Sequence, residues 1–212
     1  MAAARWLHDS AKSGSIEAAP HRARRYLGAV SGGSKRQDML YVLPAVSVSF
    51  QKQSANTVIT SGNNTYQFTG ATFDIFESAS GARVDTIKMD SNGRAQATLL
   101  PNTAYYLIET KAPAGYVPRR DRIAFTTGND GGRVAIDEQP GTINLRIVKL
   151  DAATNAGPQV GSSLAGAEFT CVSQSTPGWA QILTTDESGR ATLVDVPLGT
   201  FTIYESKAPE GY

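Results

Sequence analysis

From Val46 onward, apolar and polar residues alternate: Val46, Val48 and Phe50 fall on one parity, Ser47, Ser49 and Gln51 on the other. A period of two sends successive side chains to opposite faces of an extended chain, so this segment reads as a half-buried strand. The same kind of text runs on to the C-terminal residue. Short runs rich in Val, Ile, Thr, Phe and Tyr are broken about every eight to twelve residues by Gly, Asn, Asp or Pro. Asp90-Ser-Asn-Gly93 and Asp186-Glu-Ser-Gly189 are turn sequences in which glycine can take a positive φ. No segment sustains a helical period. The pattern predicts an all-β fold of Greek-key-like, immunoglobulin- or prealbumin-like sandwiches, with roughly seven strands in each domain-sized unit.

The pattern is also duplicated. Glu109-Thr-Lys-Ala-Pro-Ala-Gly-Tyr116 returns as Glu205-Ser-Lys-Ala-Pro-Glu-Gly-Tyr212, displaced by 96 residues. The same displacement relates Gly70-Ala71 to Gly166-Ala167, Phe73 to Phe169, Asp90 to Asp186 and Gly93-Arg94 to Gly189-Arg190. A period of that size means tandem domains, since solenoid repeats run about 20 to 50 residues. We therefore expect three parts. Residues 1–45 have no repeat partner and read as a weakly ordered basic leader or the remnant of an upstream module. Residues 46–140 form a first β-sandwich, and 141–212 a second. Past Tyr116 the first copy continues for roughly two more strands, whereas the second ends at Tyr212, so the second is expected to miss its C-terminal strands and the chain to be part of a longer protein.

Charge and cysteine content narrow the function classes. Residues 1–45 hold 7 Lys+Arg against 3 Asp+Glu, and the repeats 13 against 16. A mildly acidic array has no footprint for nucleic acid. Cys171 is the one cysteine, which excludes an intramolecular disulfide and thiolate metal sites. The apolar stretch from Met39 to Phe50 is too short and interrupted to span a bilayer, and no signal-peptide pattern opens the chain. Both histidines, His8 and His21, lie in the leader. Gly28 and Gly33 resemble a phosphate loop only superficially, because Ser34-Lys35 is in the wrong order. The acid pairs Asp137-Glu138 and Asp186-Glu187 read as solvated strand-end and turn residues. No cofactor, no metal and no turnover enzyme is expected.

One feature of the alternation carries chemistry. Lys52 follows Val46, Val48 and Phe50 on the apolar parity, and Lys149 follows Ile143, Leu145 and Ile147 in the same way. Glu109 is in phase with Tyr105 and Leu107, and Glu205 with Phe201 and Ile203. Each module is thus expected to point one lysine and one glutamate inward. Buried charges cost several kcal/mol unless paired or neutralised, and burial favours a neutral amine beside a protonated acid. A neutral lysine is a nucleophile, and a protonated glutamate can polarise a carbonyl. A third carboxyl on a later strand would complete an isopeptide-forming set, and Asp137 in Val134-Ala-Ile-Asp-Glu-Gln-Pro140 is the candidate. Asp137 is out of phase with Val134 and Ile136, so a bulge would be needed to turn it inward, while adjacent Glu138 is in phase and is the rival acceptor. The plain alternative is that Lys52 snorkels from its strand end and makes an ordinary ion pair with Glu109.

These stretches, taken in order, resemble the Cna-B-type, SpaA-like domains of prealbumin-like fold found in pilins and adhesins of Gram-positive surfaces. They comprise a strand ending in lysine (Phe50-Gln-Lys52, Ile147-Val-Lys149), a Gly-Ala-x-Phe strand start, an Asp-x-x-Gly turn and the Glu-x-Lys-Ala-Pro-x-Gly-Tyr signature. The resemblance implies an autocatalytic isopeptide bond with Lys52 as amine, Glu109 as assisting acid and Asp137 as acceptor. It carries Lys149 and Glu205 over as second-module equivalents whose acceptor would lie past Tyr212. It also implies an extracellular, cell-wall location and a structural stalk or backbone role. The expected partners are neighbouring modules of the same polypeptide, and beyond them host matrix protein or anchoring machinery. The alternative function is a module that binds host matrix protein or glycan without a cross-link, for which Trp179, in Ser175-Thr-Pro-Gly-Trp179, is the nominated surface aromatic.

Overall fold

A computed structural model describes residues 25–29, 38–42 and 45–212 of the chain. In the leader, strand β1 (Arg25–Ala29) pairs antiparallel with β2 (Asp38–Val42), Arg25 opposite Val42. His8, His21 and the remaining leader residues lie outside the described residues.

The first module has the seven strands that the alternation predicts. One sheet runs β6 (Arg94–Leu99), β3 (Val46–Ser54), β9 (Gly132–Glu138). The other runs β5 (Arg83–Lys88), β4 (Thr72–Glu77), β7 (Ala104–Lys111), β8 (Ile123–Thr126). Their inner faces share one core, with Val48 and Phe50 from β3, Ile136 from β9, Phe73 and Ile75 from β4, and Leu107 from β7 nearly inaccessible to solvent. Each such side chain contributes on the order of 1.5 to 3 kcal/mol of burial. Phe125 of β8 meets Phe50 edge-on at 5.6 Å, a favoured aromatic geometry.

One topological detail matters for function. β3 and β9, the first and last strands of the module, are neighbours and run parallel, with Lys52 beside Ile136, Gln53 beside Asp137 and Ser54 beside Glu138. A parallel pair needs a long crossover, and here nearly the whole module lies between the two.

The recurring glycines have physical reasons. Gly93 (φ 71°) closes the Asp90 turn, accepts the Lys52 amide at 2.7 Å, and would place a Cβ 3.0 Å from the Lys52 carbonyl oxygen. Gly189 (φ 70°) does the same for Lys149. A side chain there would meet both strain and collision. The duplicated turn is therefore a support under each strand-end lysine.

The second module contains β10 (Thr142–Val148) paired with β13 (Arg190–Pro197), and a sheet ordered β12 (Ala180–Thr184), β11 (Glu168–Ser173), β14 (Phe201–Lys207). Its core is smaller, built on Cys171, Leu183 and Ala191 with Leu145, Ile147, Trp179, Leu193 and Phe201 packed around them. The described residues hold no strand beside β10 where the first module has β9 beside β3.

The modules meet through a hydrogen-bonded joint. Asn63, which follows the short helix α1 (Thr57–Thr60), donates from Nδ2 to Thr176 Oγ1 at 2.9 Å and to the Leu198 carbonyl at 2.8 Å. Thr176 Oγ1 donates onward to the Ile59 carbonyl at 3.1 Å. The Tyr66 hydroxyl donates to the Gly141 carbonyl at 2.8 Å and accepts from the Leu198 amide at 2.7 Å. Asn63 and Thr176 are both buried, and buried polar groups satisfied in this way fix a single relative placement.

Candidate functional site

Lys52 ends the apolar parity of β3, and the period-two geometry carries it into the core with Val48 and Phe50: it is 1% exposed. Its ammonium Nζ lies 2.7 Å from Glu109 Oε1 on β7, across the sandwich, and 4.6 Å from the centre of the Phe73 ring. Both side chains are essentially excluded from solvent. Glu109 Oε2 accepts the backbone amide of Arg119 at 2.7 Å, so both carboxylate oxygens have donors.

A second carboxylate reaches the lysine, from β9. Glu138 Oε1 is 3.2 Å from Lys52 Nζ and equally buried. The regular β3/β9 register decides this. With no bulge, residues 134, 136 and 138 face the core, and Asp137 faces out, where its Oδ1 accepts from Gln53 Nε2 at 2.6 Å. The site thus gathers Lys52, Glu109 and Glu138. The expected acceptor, Asp137, is not among them.

Arg119 is the member that no sequence pattern marks. It lies between β7 and β8, outside any alternating run. Besides holding Glu109 with its amide, it places Nε 3.7 Å from Glu138 Oε1, donates through Nη2 to the Asp137 carbonyl, and pairs through Nη1 with Asp121 at 2.7 Å. Arg119 Nε and Glu138 Oε1 are buried without a hydrogen bond. Lys52, Glu109 and Glu138 share a dry pocket, with the partly exposed Arg119 side chain at its rim and one Glu138 oxygen left without a hydrogen bond. Burial pushes the Glu138 carboxyl above the usual range; the Lys52 charge opposes this, and the Glu109 charge adds to it. Chemically the arrangement offers an amine, a carboxyl biased toward its neutral form, and a third group able to relay a proton.

Among the described residues, no group of His, Cys, Asp and Glu is placed to hold a metal ion, and no helix is long and apolar enough to cross a membrane.

A family model for the SpaA prealbumin-like fold domain matches residues 53–140 and, separately, residues 144–212. The chain belongs to the SpaA prealbumin-like domain family. Among solved structures, the fold is similar to that of the Bacillus anthracis TIE protein, with TM-score 0.57 and 22% identity over 89% of this chain. The chain spans only 36% of the length of that structure. Weaker likenesses include a streptococcal ancillary pilin (TM-score 0.38, 19% identity, 90% of this chain and 66% of that one). Another is a C-terminal fragment of the pilus adhesin SpaC from Lactobacillus rhamnosus GG (TM-score 0.44, 20% identity, 79% and 78%). At 22% identity the likeness to the TIE protein is one of fold alone. No curated protein matches the sequence.

In the second SpaA domain the corresponding pair is differently placed. Lys149 Nζ lies 3.1 Å from Glu205 Oε1, but the side chains are 14% and 33% exposed. Tyr212 covers Lys149, its ring centre 5.5 Å from Nζ, and donates its hydroxyl to Asp151 Oδ2 at 2.6 Å. Asp151 also accepts from the Ala153 and Thr154 amides and from Gln159. These bonds, the Tyr212 one first, hold its carboxyl down to about 2. Trp179, the surface aromatic nominated for the binding alternative, is half-buried. It packs on the second core and meets Phe201 edge-on at 5.6 Å.

Proposed function

We propose that these tandem SpaA domains form a structural stalk or backbone segment of a bacterial surface adhesin or pilus-like protein, and that the first domain is closed by an intramolecular isopeptide bond. In this reading Lys52 is the amine, a carboxyl at the end of β9 is the acceptor, and Glu109 is the assisting acid. The reaction turns over once per chain and is not enzymatic in the usual sense. The carrying observation is the buried lysine at the end of the first strand, within ion-pair reach of carboxylates on β7 and β9.

A stalk carries tension along its chain. Tension enters at Val46 and leaves beyond Glu138 toward Pro140. A covalent tie from Lys52 to the end of β9 passes that load across one side-chain bridge, so the intervening chain never bears it. By the chain-entropy argument for cross-links, closing a loop of this length adds about 4 to 5 kcal/mol. A folded core supplies the proximity that an uncatalysed amide condensation lacks. The joint at Asn63, Tyr66 and Thr176 supports the same role, since a spacer transmits force better when its units do not swivel. A secreted, wall-associated location and contact with neighbouring subunits belong to this proposal.

The test is the intact mass of the denatured chain. A deficit of one water, absent in Lys52→Ala, supports the cross-linked stalk. The full mass in the wild-type chain rejects the cross-link and leaves Lys52 as the centre of a buried ion-pair cluster.

A further inference from the structure

We infer that the acceptor is the side-chain carboxyl of Glu138, so that the first domain closes through a γ-glutamyl-lysine bridge between β3 and β9, with Asp137 a bystander. The inference rests on the cross-link reading and sharpens it.

Three carboxyls at or near the site compete for the role, and the geometry separates them. Asp137 is on the solvent face of β9 and is engaged by Gln53. Bringing it to Lys52 would require breaking the continuous parallel register of seven residue pairs, and a one-residue slip would send Val134 and Ile136 out of the core. Glu109 is closer to Nζ than Glu138 is, but both its oxygens accept hydrogen bonds, one from Lys52 and one from the Arg119 amide. It is thereby held as a proton acceptor and donor. Glu138 brings an oxygen to 3.2 Å from Nζ that no hydrogen bond satisfies. Its strand is also the immediate neighbour of β3, so the linkage joins adjacent chains in one sheet.

The step balances without an outside reagent. One proton passes from the Lys52 ammonium to the Glu138 carboxylate, giving a neutral amine and a neutral acid. The Nζ lone pair attacks Glu138 Cδ, and the C–N bond forms. Glu109 takes a proton from nitrogen and delivers it to the departing hydroxyl, which leaves as water as the C–OH bond breaks. Glu109 ends as it began. The Arg119 guanidinium, 3.7 Å from Glu138 Oε1, lies on the side where negative charge develops on the acceptor oxygen.

The experiment is mass spectrometry of the full chain. It combines denatured intact mass with peptide mapping after trypsin, which does not cut after an acylated lysine. The wild-type chain is expected to lack one water, with the Lys52 peptide joined to the peptide bearing Glu138 and fragment ions placing the bond on that residue. Asp137→Asn is expected to lack one water still. Glu138→Gln, nearly isosteric and therefore expected to fold, should either lose one ammonia in place of water or keep its full mass. An ammonia loss from Asp137→Asn, a water loss persisting in Glu138→Gln, or fragment ions placing the wild-type bond on Asp137 or Glu109 would each overturn the Glu138 assignment while leaving the cross-linked stalk standing. A full-mass wild-type chain would sink both.

Discussion

The two copies of one domain carry the same lysine and the same glutamate, yet only one pair sits in a dry pocket. In the first copy Lys52 and Glu109 have side-chain exposures of 0% and 1% and meet a second carboxylate. In the second, Lys149 and Glu205 keep a similar separation, 3.1 Å, but stay partly wet. The residue types are identical, so the difference comes from what lies over them. In the first copy β9 and Arg119 close the space beside the lysine, and in the second Tyr212 lies across it. An inward-pointing parity is necessary for a buried reactive pair. A strand that seals it from water is what makes the pair chemically unusual.

The sharpest way to break this comparison is to remove each lysine in turn. Lys52→Met leaves two buried carboxylates facing each other. The expected cost is about 3 to 5 kcal/mol from unpairing a buried cluster, before any loss of a cross-link. Lys149→Met removes a partly exposed pair and is expected to cost no more than about 1 kcal/mol. Thermal unfolding followed by calorimetry measures both. Equal effects would mean that the two sites are energetically alike and that burial is not what distinguishes them.

A smaller effect is expected at the joint. Asn63→Ala removes two buried donors and leaves the Leu198 carbonyl and Thr176 hydroxyl short of a partner, at a cost of about 1 to 3 kcal/mol. That loss falls on the contact between domains. Calorimetry should resolve one broad transition into two, and small-angle scattering should show a wider spread of end-to-end distances. An unchanged scattering profile would show that the linker alone sets the angle.

Much of this was legible in the sequence, and the failures are instructive. Strict alternation from Val46 placed Lys52 inside, and the in-phase run from Tyr105 placed Glu109 opposite it, because a strand with one dry face has no freedom of parity. The same rule put Glu138 inside and Asp137 outside. Asp137, nominated as a carboxyl on a later strand and again by the family resemblance, needed a bulge that β9 does not have. Arg119 could not be read, since it belongs to a loop whose course follows no period. The joint was equally hidden. Asn63 and Thr176 are 113 residues apart, and nothing local to either says that two loops will meet. Trp179 was nominated as a surface aromatic from its turn-like sequence; only the fold shows it packed on the second core against Phe201.

The finest contrast between the domains lies in their response to acid. The Asp151 carboxyl is held at about 2 in the folded state by Tyr212 and its other donors, below its usual 3.8. Folding therefore favours the charged form. The stability it contributes is complete above the usual value and is lost as pH falls through about 2. Glu138 is shifted the other way by burial, so folding favours its neutral form. Its contribution is complete below the usual 4.5 and is lost as pH rises through its raised folded value. On acidification from neutral pH, a first domain with a free Glu138 should gain stability from this group while the second domain loses it from Asp151. In the Asn63→Ala background, where the two transitions are expected to separate, Asp151→Asn should flatten the acid limb of the second domain's transition alone. A first domain whose transition shows no trace of the Glu138 titration would mean that this carboxyl is no longer free to ionise, which is what an amide to Lys52 would produce.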